Sequence, residues 1–226
     1  MAAEASLKLK HFSGALLVEA DQFFSCRKSS WEWSNLQSLV LTSELLAPES
    51  EPSDIEQMLK DAAAAAMRMP QLDTMEIWNG REALATLFKY QSSGGQTNAT
   101  LTWRSTWELR LPTSVIQAWK YVAQKQGARG FTFITELLDI CEKLESRGDA
   151  IHHLRLCTPV LRPVSLQQIR TDHGIHKTWE ERQEDWKHAH LRKLIGMADP
   201  NNRVHQEVLA GLRASLRYRY GRREVD

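Results

Sequence analysis

The apolar stretch Leu36-Gln-Ser-Leu39-Val-Leu41 recurs as Leu72-Asp-Thr-Met75-Glu-Ile77, and Asn79 follows the second copy. Both copies have the spacing LxxLxL, in which Met and Ile can stand for Leu. This spacing, followed by Asn, is typical of a strand of a leucine-rich repeat, where alternate side chains enter the core and Asn ties down the turn. The copies begin 36 residues apart (Leu36 to Leu72), which is longer than the usual repeat. We therefore predict units that are LRR-like without forming a regular solenoid.

A helix is predicted between the two copies, because apolar residues recur at helical spacing from Ile55 to Met69 and Pro70 ends the pattern. Strand, helix and strand in this order favour a parallel unit. Residues 83–90 and 99–111 then alternate with a period of two and read as an antiparallel hairpin. A short strand at 15–20, a helix after Pro112, a strand at 131–134 and a helix at 137–144 complete the predicted α/β (α+β) domain.

The C-terminal part has a different composition. Residues 179–194 are rich in charged side chains and histidine, and residues 204–220 carry an apolar stripe at helical spacing. The sequence therefore predicts an LRR-like α/β domain over residues 1–170 and a helical C-terminal extension over residues 171–226. The helices of the extension either pack back on the domain or form a homodimer.

The overall composition bounds the class of protein. The chain has 226 residues, 42% hydrophobic residues and a net charge of +1, so the whole molecule has no strong attraction to membranes or nucleic acids. The three cysteines are scattered, and no signal peptide or stretch of transmembrane length is recognised. We expect a cytoplasmic or nuclear protein. An arginine-rich run near the C-terminus is diluted by Glu224 and Asp226, which argues against a nucleic-acid partner.

Six blocks of the sequence, in order, resemble a fungal family of uncharacterised proteins that carry an F-box near the N-terminus. The blocks are Trp31-Glu-Trp33-Ser-Asn-Leu36, residues 62–70, Met75-Glu-Ile-Trp-Asn-Gly80, Thr102-Trp-Arg-Ser-Thr-Trp107, Gly148-Asp-Ala-Ile-His-His-Leu154 and Pro163-Val-Ser-Leu-Gln-Gln-Ile-Arg170. The resemblance implies a target-binding region of the kind that follows an F-box. No F-box precedes the blocks in this sequence, and residues 171–226 look like an added tail.

The chemistry-bearing candidates are few. No phosphate loop, GxGxxG, HExxH or GxSxG occurs, so we expect no cofactor. Asp149 lies three residues before His152 and can orient an imidazole, with His153 beside it; the alternative is a turn at Gly148-Asp149 whose histidines satisfy backbone groups. Adjacent histidines rarely point at one ion, so no metal site is predicted. Catalytic candidates are therefore His152, Asp149 and Tyr90.

Tryptophan is the unusual feature of the composition, with eight residues. Trp78, Trp103 and Trp107 fall on predicted neighbouring strands, near Tyr90, and can form an aromatic wall for an apolar ligand. Asn79 and His153 complete the predicted substrate-binding set. The alternative is a sheet face that is simply covered by the helix containing Trp119.

Two functions remain open from the sequence. The first is a cofactor-independent enzyme of fungal secondary metabolism, such as a pericyclase or cyclase of the Diels–Alder type, acting on an apolar substrate such as a terpenoid. Such a reaction needs a shaped apolar pocket and one or two hydrogen-bond donors. The second is an LRR-like protein-interaction module that lacks its F-box. The partner is accordingly an apolar small molecule or another protein.

Overall fold

Six strands form one sheet in a computed structural model that describes residues 2–92, 98–141, 144 and 146–160. All of these residues belong to one unit of the chain, Met1–His176. The strands are β1 (His11–Ser13), β2 (Ser38–Thr42), β3 (Thr74–Arg81), β4 (Leu84–Gln91), β5 (Asn98–Ser105) and β6 (Gly130–Leu137). They lie in the sheet in chain order. β1, β2 and β3 are mutually parallel, β4 is antiparallel to β3 and β5, and β6 is parallel to β5.

Among the described residues, five helices accompany the sheet: α1 (Ala2–Ala5), α2 (Ala20–Ser25), α3 (Pro52–Ala66), α4 (Thr113–Lys125) and α5 (Arg147–Leu154). A 3₁₀ turn, Ser6–Lys8, follows α1. The position of α3 follows from its sequence, because Pro52 starts the helix and the small residues Ala62, Ala63, Ala65 and Ala66 are buried. Small side chains allow this helix to lie close to the sheet.

The sheet buries a different cluster on each face. The helical face packs with α2, α3 and α4, and it carries the buried side chains Leu39, Met75, Ile77, Phe88, Tyr90, Leu101 and Trp103. The opposite face, which we call the α5 face, carries Val40, Trp78, Ala85 and Leu87 and packs against Ala150 and Leu154 of α5. Because side chains alternate along a strand, β2, β3 and β4 contribute to both clusters. Any site built from side chains of one face is therefore separated from the other face by the sheet.

The mixed α/β class predicted from sequence is confirmed, as are the parallel β2–α3–β3 unit and the antiparallel hairpin of β4 and β5. Three local predictions are wrong. The first strand lies at His11–Ser13, and Ala20 instead begins α2. The strand predicted over residues 99–111 is shorter: β5 ends at Ser105, because the chain turns there. The helix predicted over residues 137–144 does not form at its start, where residues 137–140 contain the end of β6 and coil.

Two predictions about the architecture are left open. The LRR-like arrangement remains an interpretation of the spacing. The predicted helical extension of residues 171–226 lies outside the described residues. No helix in the described ranges is long and apolar enough to cross a membrane.

Candidate functional site

A cleft of about 440 Å³ opens at the carboxyl ends of β5 and β6. Its apolar wall contains Trp103, Trp107, Leu109, Leu111, Ile116, Phe133 and Leu137, and its polar wall contains Ser105, Glu108, Arg110, Thr113, Thr135 and Glu136. The crevice beyond the carboxyl ends of parallel strands is the usual place for ligands in open α/β sheets. The volume also lies in the range of sites for small molecules, which begins at about 300 Å³.

Trp107 is held in place by hydrogen bonds to the hairpin. Its indole Nε1 donates to Thr86 Oγ1 at 2.7 Å, and its carbonyl oxygen accepts from the Ser105 hydroxyl. The backbone N–H of Thr106 donates to the carbonyl of Ala85 at 2.9 Å. The ring of Trp107 meets that of Trp103 edge to face, with centroids 5.8 Å apart. The wall is therefore fixed before any ligand enters.

Trp103 supplies a hydrogen-bond donor that the described residues leave unused. The side chain is 1% exposed, and its Nε1 has no hydrogen-bond partner among the residues that the structure describes. A buried N–H without a partner is uncommon, because leaving it unmade costs about 1–3 kcal/mol. The nitrogen is shielded from solvent, so an acceptor in the cleft would reach it only after a movement of the neighbouring side chains.

The charges near the cleft balance one another. Arg104 donates through Nε to Glu136 Oε2 at 2.5 Å, and through a terminal nitrogen to the carbonyl of Leu154 at 2.5 Å. The hydrogen bond from Arg104 holds the pKa of Glu136 below its usual value, so this carboxylate is ionised and paired. Glu108 and Arg110 are exposed at the rim and carry opposite charges. The charged side chains near the cleft therefore leave no net charge.

Tyr90 is not among the residues that line the cleft. The side chain is fully buried on the helical face, where its ring packs against Trp119 with centroids 4.9 Å apart. Its hydroxyl donates to Gln126 Oε1 at 2.7 Å. Burial raises the pKa of Tyr90 to about 12. The hydroxyl serves to tie β4 to the end of α4.

The structure does not bring the other predicted catalytic residues to the cleft. Asp149 is buried in the first turn of α5, where its backbone N–H and its carboxylate both bond the Ser146 hydroxyl, at 3.2 and 2.8 Å. This arrangement caps the helix. His152 is exposed, and its ring lies 5.1 Å from that of His153. All three belong to α5, which packs on the face opposite Trp103.

Two predicted substrate-binding residues are also separated from the cleft. Trp78 is fully buried in the cluster under α5. Asn79 donates through its side-chain amide to the carbonyls of Glu44 and Leu46, at 3.4 and 3.5 Å, and so ties down the loop after β2. Of the predicted aromatic wall, only Trp103 and Trp107 lie together. Within the described ranges, no group of three or more His, Cys, Asp or Glu side chains is placed to hold a metal ion.

The sequence interpretation missed a buried carboxylate on the α5 face. Glu76 is 0% exposed, and its two oxygens accept the backbone N–H groups of Cys157 and Thr158, at 2.7 and 3.2 Å. Burial raises the pKa of Glu76, although these hydrogen bonds oppose the rise. Lys89 Nζ lies 3.7 Å from Cys157 Sγ. The available signal was a glutamate in the middle of the apolar strand Met75-Glu76-Ile77, where only a partnered carboxylate is tolerated.

We expect the stability of Glu76→Gln, relative to that of wild type, to increase as the pH rises. A carboxyl group whose pKa is higher in the folded than in the unfolded chain stabilises the fold below its unfolded pKa, and this contribution is lost as the pH rises through the folded pKa. The pKa of Glu76 is raised from 4.5, so the wild-type chain loses this contribution above that pH and the variant does not. Thermal unfolding of both chains between about pH 4 and 8 measures the difference.

Glu136→Gln is the matched control with the opposite sign. The pKa of Glu136 is lowered from 4.5 by Arg104, so its contribution is present above the unfolded pKa and is lost as the pH falls through the folded pKa. This variant should be less stable than wild type at neutral pH and approach it in acid. Parallel curves for the two variants would contradict the roles of both carboxylates.

The fold and the cleft define a class: an α/β domain with an aromatic-lined crevice at the carboxyl ends of two parallel strands. A family model matches residues 1–162, and the chain belongs to that family, the family of unknown function DUF6546. Neither a curated protein sequence nor a solved structure matches the chain.

Proposed function

We propose that this protein binds a neutral, largely apolar small molecule in the cleft and converts it, without a cofactor, by a cyclase or pericyclase reaction of secondary metabolism. The observation that carries the proposal is the preformed crevice of about 440 Å³ between Trp103, Trp107 and Phe133. Its paired charges and its one unused indole N–H favour an apolar ligand that carries an acceptor oxygen.

The proposed chemistry asks little of titratable side chains. A cyclisation or pericyclic reaction is accelerated when the reactive conformer is held in place, because the ordering cost is met on binding. A carbonyl on the substrate can be activated by a fixed donor in a site from which water is excluded. Trp103 Nε1 is the donor that we assign to this role, in place of His152 and Tyr90, and a movement of the neighbouring side chains would have to expose it. A terpenoid or polyketide-like molecule would suit the size of the cleft.

Replacing Trp107 should lower the activity. Trp107→Ala takes away one wall of the cleft, and loss of an aromatic contact worth about 0.5–1.5 kcal/mol weakens binding by up to about tenfold. The gene would be deleted in the source organism, and metabolite extracts would be compared by mass spectrometry after complementation. We expect wild type to restore the missing product, and Trp107→Ala to leave its isomeric precursor.

His152→Ala is the control for this experiment. His152 is exposed on α5 and does not line the cleft, so this variant should restore the product as wild type does. Restoration by Trp107→Ala and failure of His152→Ala would move the site to α5. An unchanged metabolite profile in the deletion strain would contradict the enzymatic proposal altogether.

A protein-interaction module is the second candidate. The resemblance to fungal proteins with an F-box supports it, since the matching region there would serve to hold a target. The long edge strand β6 also supports it, because an open edge can pair with another chain. Affinity purification from the source organism, with the cytoplasm and nucleus as the expected compartments, would identify such a partner. If the partner protein is still captured by the Trp107→Ala variant, the interaction surface lies outside the cleft.

A further inference from the structure

β6 leaves one side of the sheet open. It is the last strand in the sheet order, and it is eight residues long, whereas the opposite edge strand β1 has three. Natural proteins protect edge strands with lysine, proline, bulges or short length. The sequence Gly130-Phe-Thr-Phe-Ile-Thr-Glu-Leu137 contains neither lysine nor proline. Its one charged residue, Glu136, is paired with Arg104 on the neighbouring strand.

The hydrogen bonds to β5 determine which backbone groups of β6 point outward. Leu138 donates its N–H to the carbonyl of Ser105 at 2.7 Å, so even-numbered residues of this strand face β5. Because the direction alternates along a strand, the N–H and C=O groups of the odd-numbered residues, from Phe131 to Leu137, point away from the sheet. No other described strand pairs with them.

Opposite charges flank this open edge. Arg129 precedes β6 and Asp139 follows it; both are exposed, and neither forms an ion pair within the described ranges. A strand with a positive residue at one end and a negative residue at the other is complementary to an antiparallel copy of itself. The register centred on Ile134 places Arg129 of each copy opposite Asp139 of the other. The same register places Phe131 opposite Leu137, and Ile134, which is 39% exposed, opposite its own copy.

We propose that the occupant of the β6 edge is a second copy of this chain, which pairs antiparallel about a two-fold axis at Ile134 and joins the two sheets into one. Odd-numbered residues of β6 belong to the helical face, where Leu137 lines the mouth of the cleft. Phe131 of the second copy would therefore lie beside Leu137 and narrow that mouth. The interface uses the sheet edge, in contrast to a dimer formed through the C-terminal helices.

Charge reversal tests the register. The full chain would be measured by sedimentation velocity over a series of concentrations, as wild type, Arg129→Asp, Asp139→Arg and the double variant. We expect each single reversal to weaken dimerisation by about tenfold or more, because the two-fold axis creates two like-charge pairs at once. The double variant should recover to within about threefold of wild type. Lys120→Asp, an exposed reversal on α4, should leave the dimer unchanged.

A disulfide bond between the two copies tests the position of the two-fold axis. Ile134→Cys under mild oxidation should form a disulfide with its own copy, since the two Cα atoms of such a pair lie about 4.5–5.5 Å apart. Peptide mapping distinguishes this disulfide from those of the exposed Cys26, Cys141 and Cys157. A wild-type chain that stays monomeric, single reversals that dimerise as wild type does, or a double variant as weak as the singles would each overturn the proposal. A monomer whose β6 amides are protected from hydrogen exchange would instead assign the edge to another segment of the same chain.

Discussion

Trp119→Ala should lower the free energy of unfolding by about 3–5 kcal/mol, the usual cost of removing a large aromatic side chain from a core. Trp119 is fully buried, and its ring packs on Phe88 and Tyr90 with centroids 5.3 and 4.9 Å away. Its indole Nε1 donates to the carbonyl of Leu59 at 3.1 Å. One side chain therefore joins α4 both to the sheet and to α3, and its removal opens a cavity where three elements meet.

Urea unfolding measures this effect against two matched variants. Trp119→Phe keeps part of the ring contact and loses the hydrogen bond to Leu59, so it should cost clearly less than Trp119→Ala. Tyr121→Ala removes an aromatic residue from the same helix that is 58% exposed, and it should change stability by less than about 0.5 kcal/mol. Equal losses for the two alanine variants would mean that α4 is not docked through Trp119.

The parts of the fold that sequence predicts well are those whose signal is local. β2, α3 and β3 each carry a periodic apolar pattern, and Pro52 and Pro70 mark the limits of the helix. The sequence predicts no helix at α5, and a turn at Gly148-Asp149 was one of two open interpretations. The contrary signal was Ser146, three residues before Asp149, whose hydroxyl accepts from the Asp149 backbone N–H and caps the helix.

The candidate site was predicted only in part, because relations between strands are not local. Trp103 and Trp107 were expected to share a strand face, and they do lie together, but through a turn after Ser105 and not through alternation along a strand. Trp78 was placed with them, yet it pairs in register with Leu87, whereas Trp103 pairs with Phe88. That single step in register puts the two indoles on opposite faces of the sheet. It depends on the turn at Ala83, which has a positive φ of 56°, and the sequence pattern does not reveal it.

Gly80→Ala should destabilise the protein by about 1–3 kcal/mol, the cost of overpacking a well-filled interior. A Cβ at position 80 would lie 2.5 Å from the Cβ of Ala150 on α5 and 3.2 Å from the ring of Trp78. The first contact joins two atoms that are fixed to their backbones, so the helix itself must move. Gly80 does not have a positive φ, and the substitution therefore tests only the space between β3 and α5.

Moving the methyl group to the other element provides the control. In the double variant Gly80→Ala/Ala150→Gly the close contact disappears, so part of the loss should be recovered despite the cost of about 1 kcal/mol for glycine inside a helix. Ala150→Gly alone gives the remaining corner of the double-mutant cycle, and a coupling free energy of opposite sign to the two single losses is expected. Faster amide exchange confined to α5 in Gly80→Ala would show that the helix has lifted from the sheet. If the changes in the free energy of unfolding of the two single variants simply add up in the double variant, residues 80 and 150 are not in contact, and α5 lies farther from β3 than in this structure.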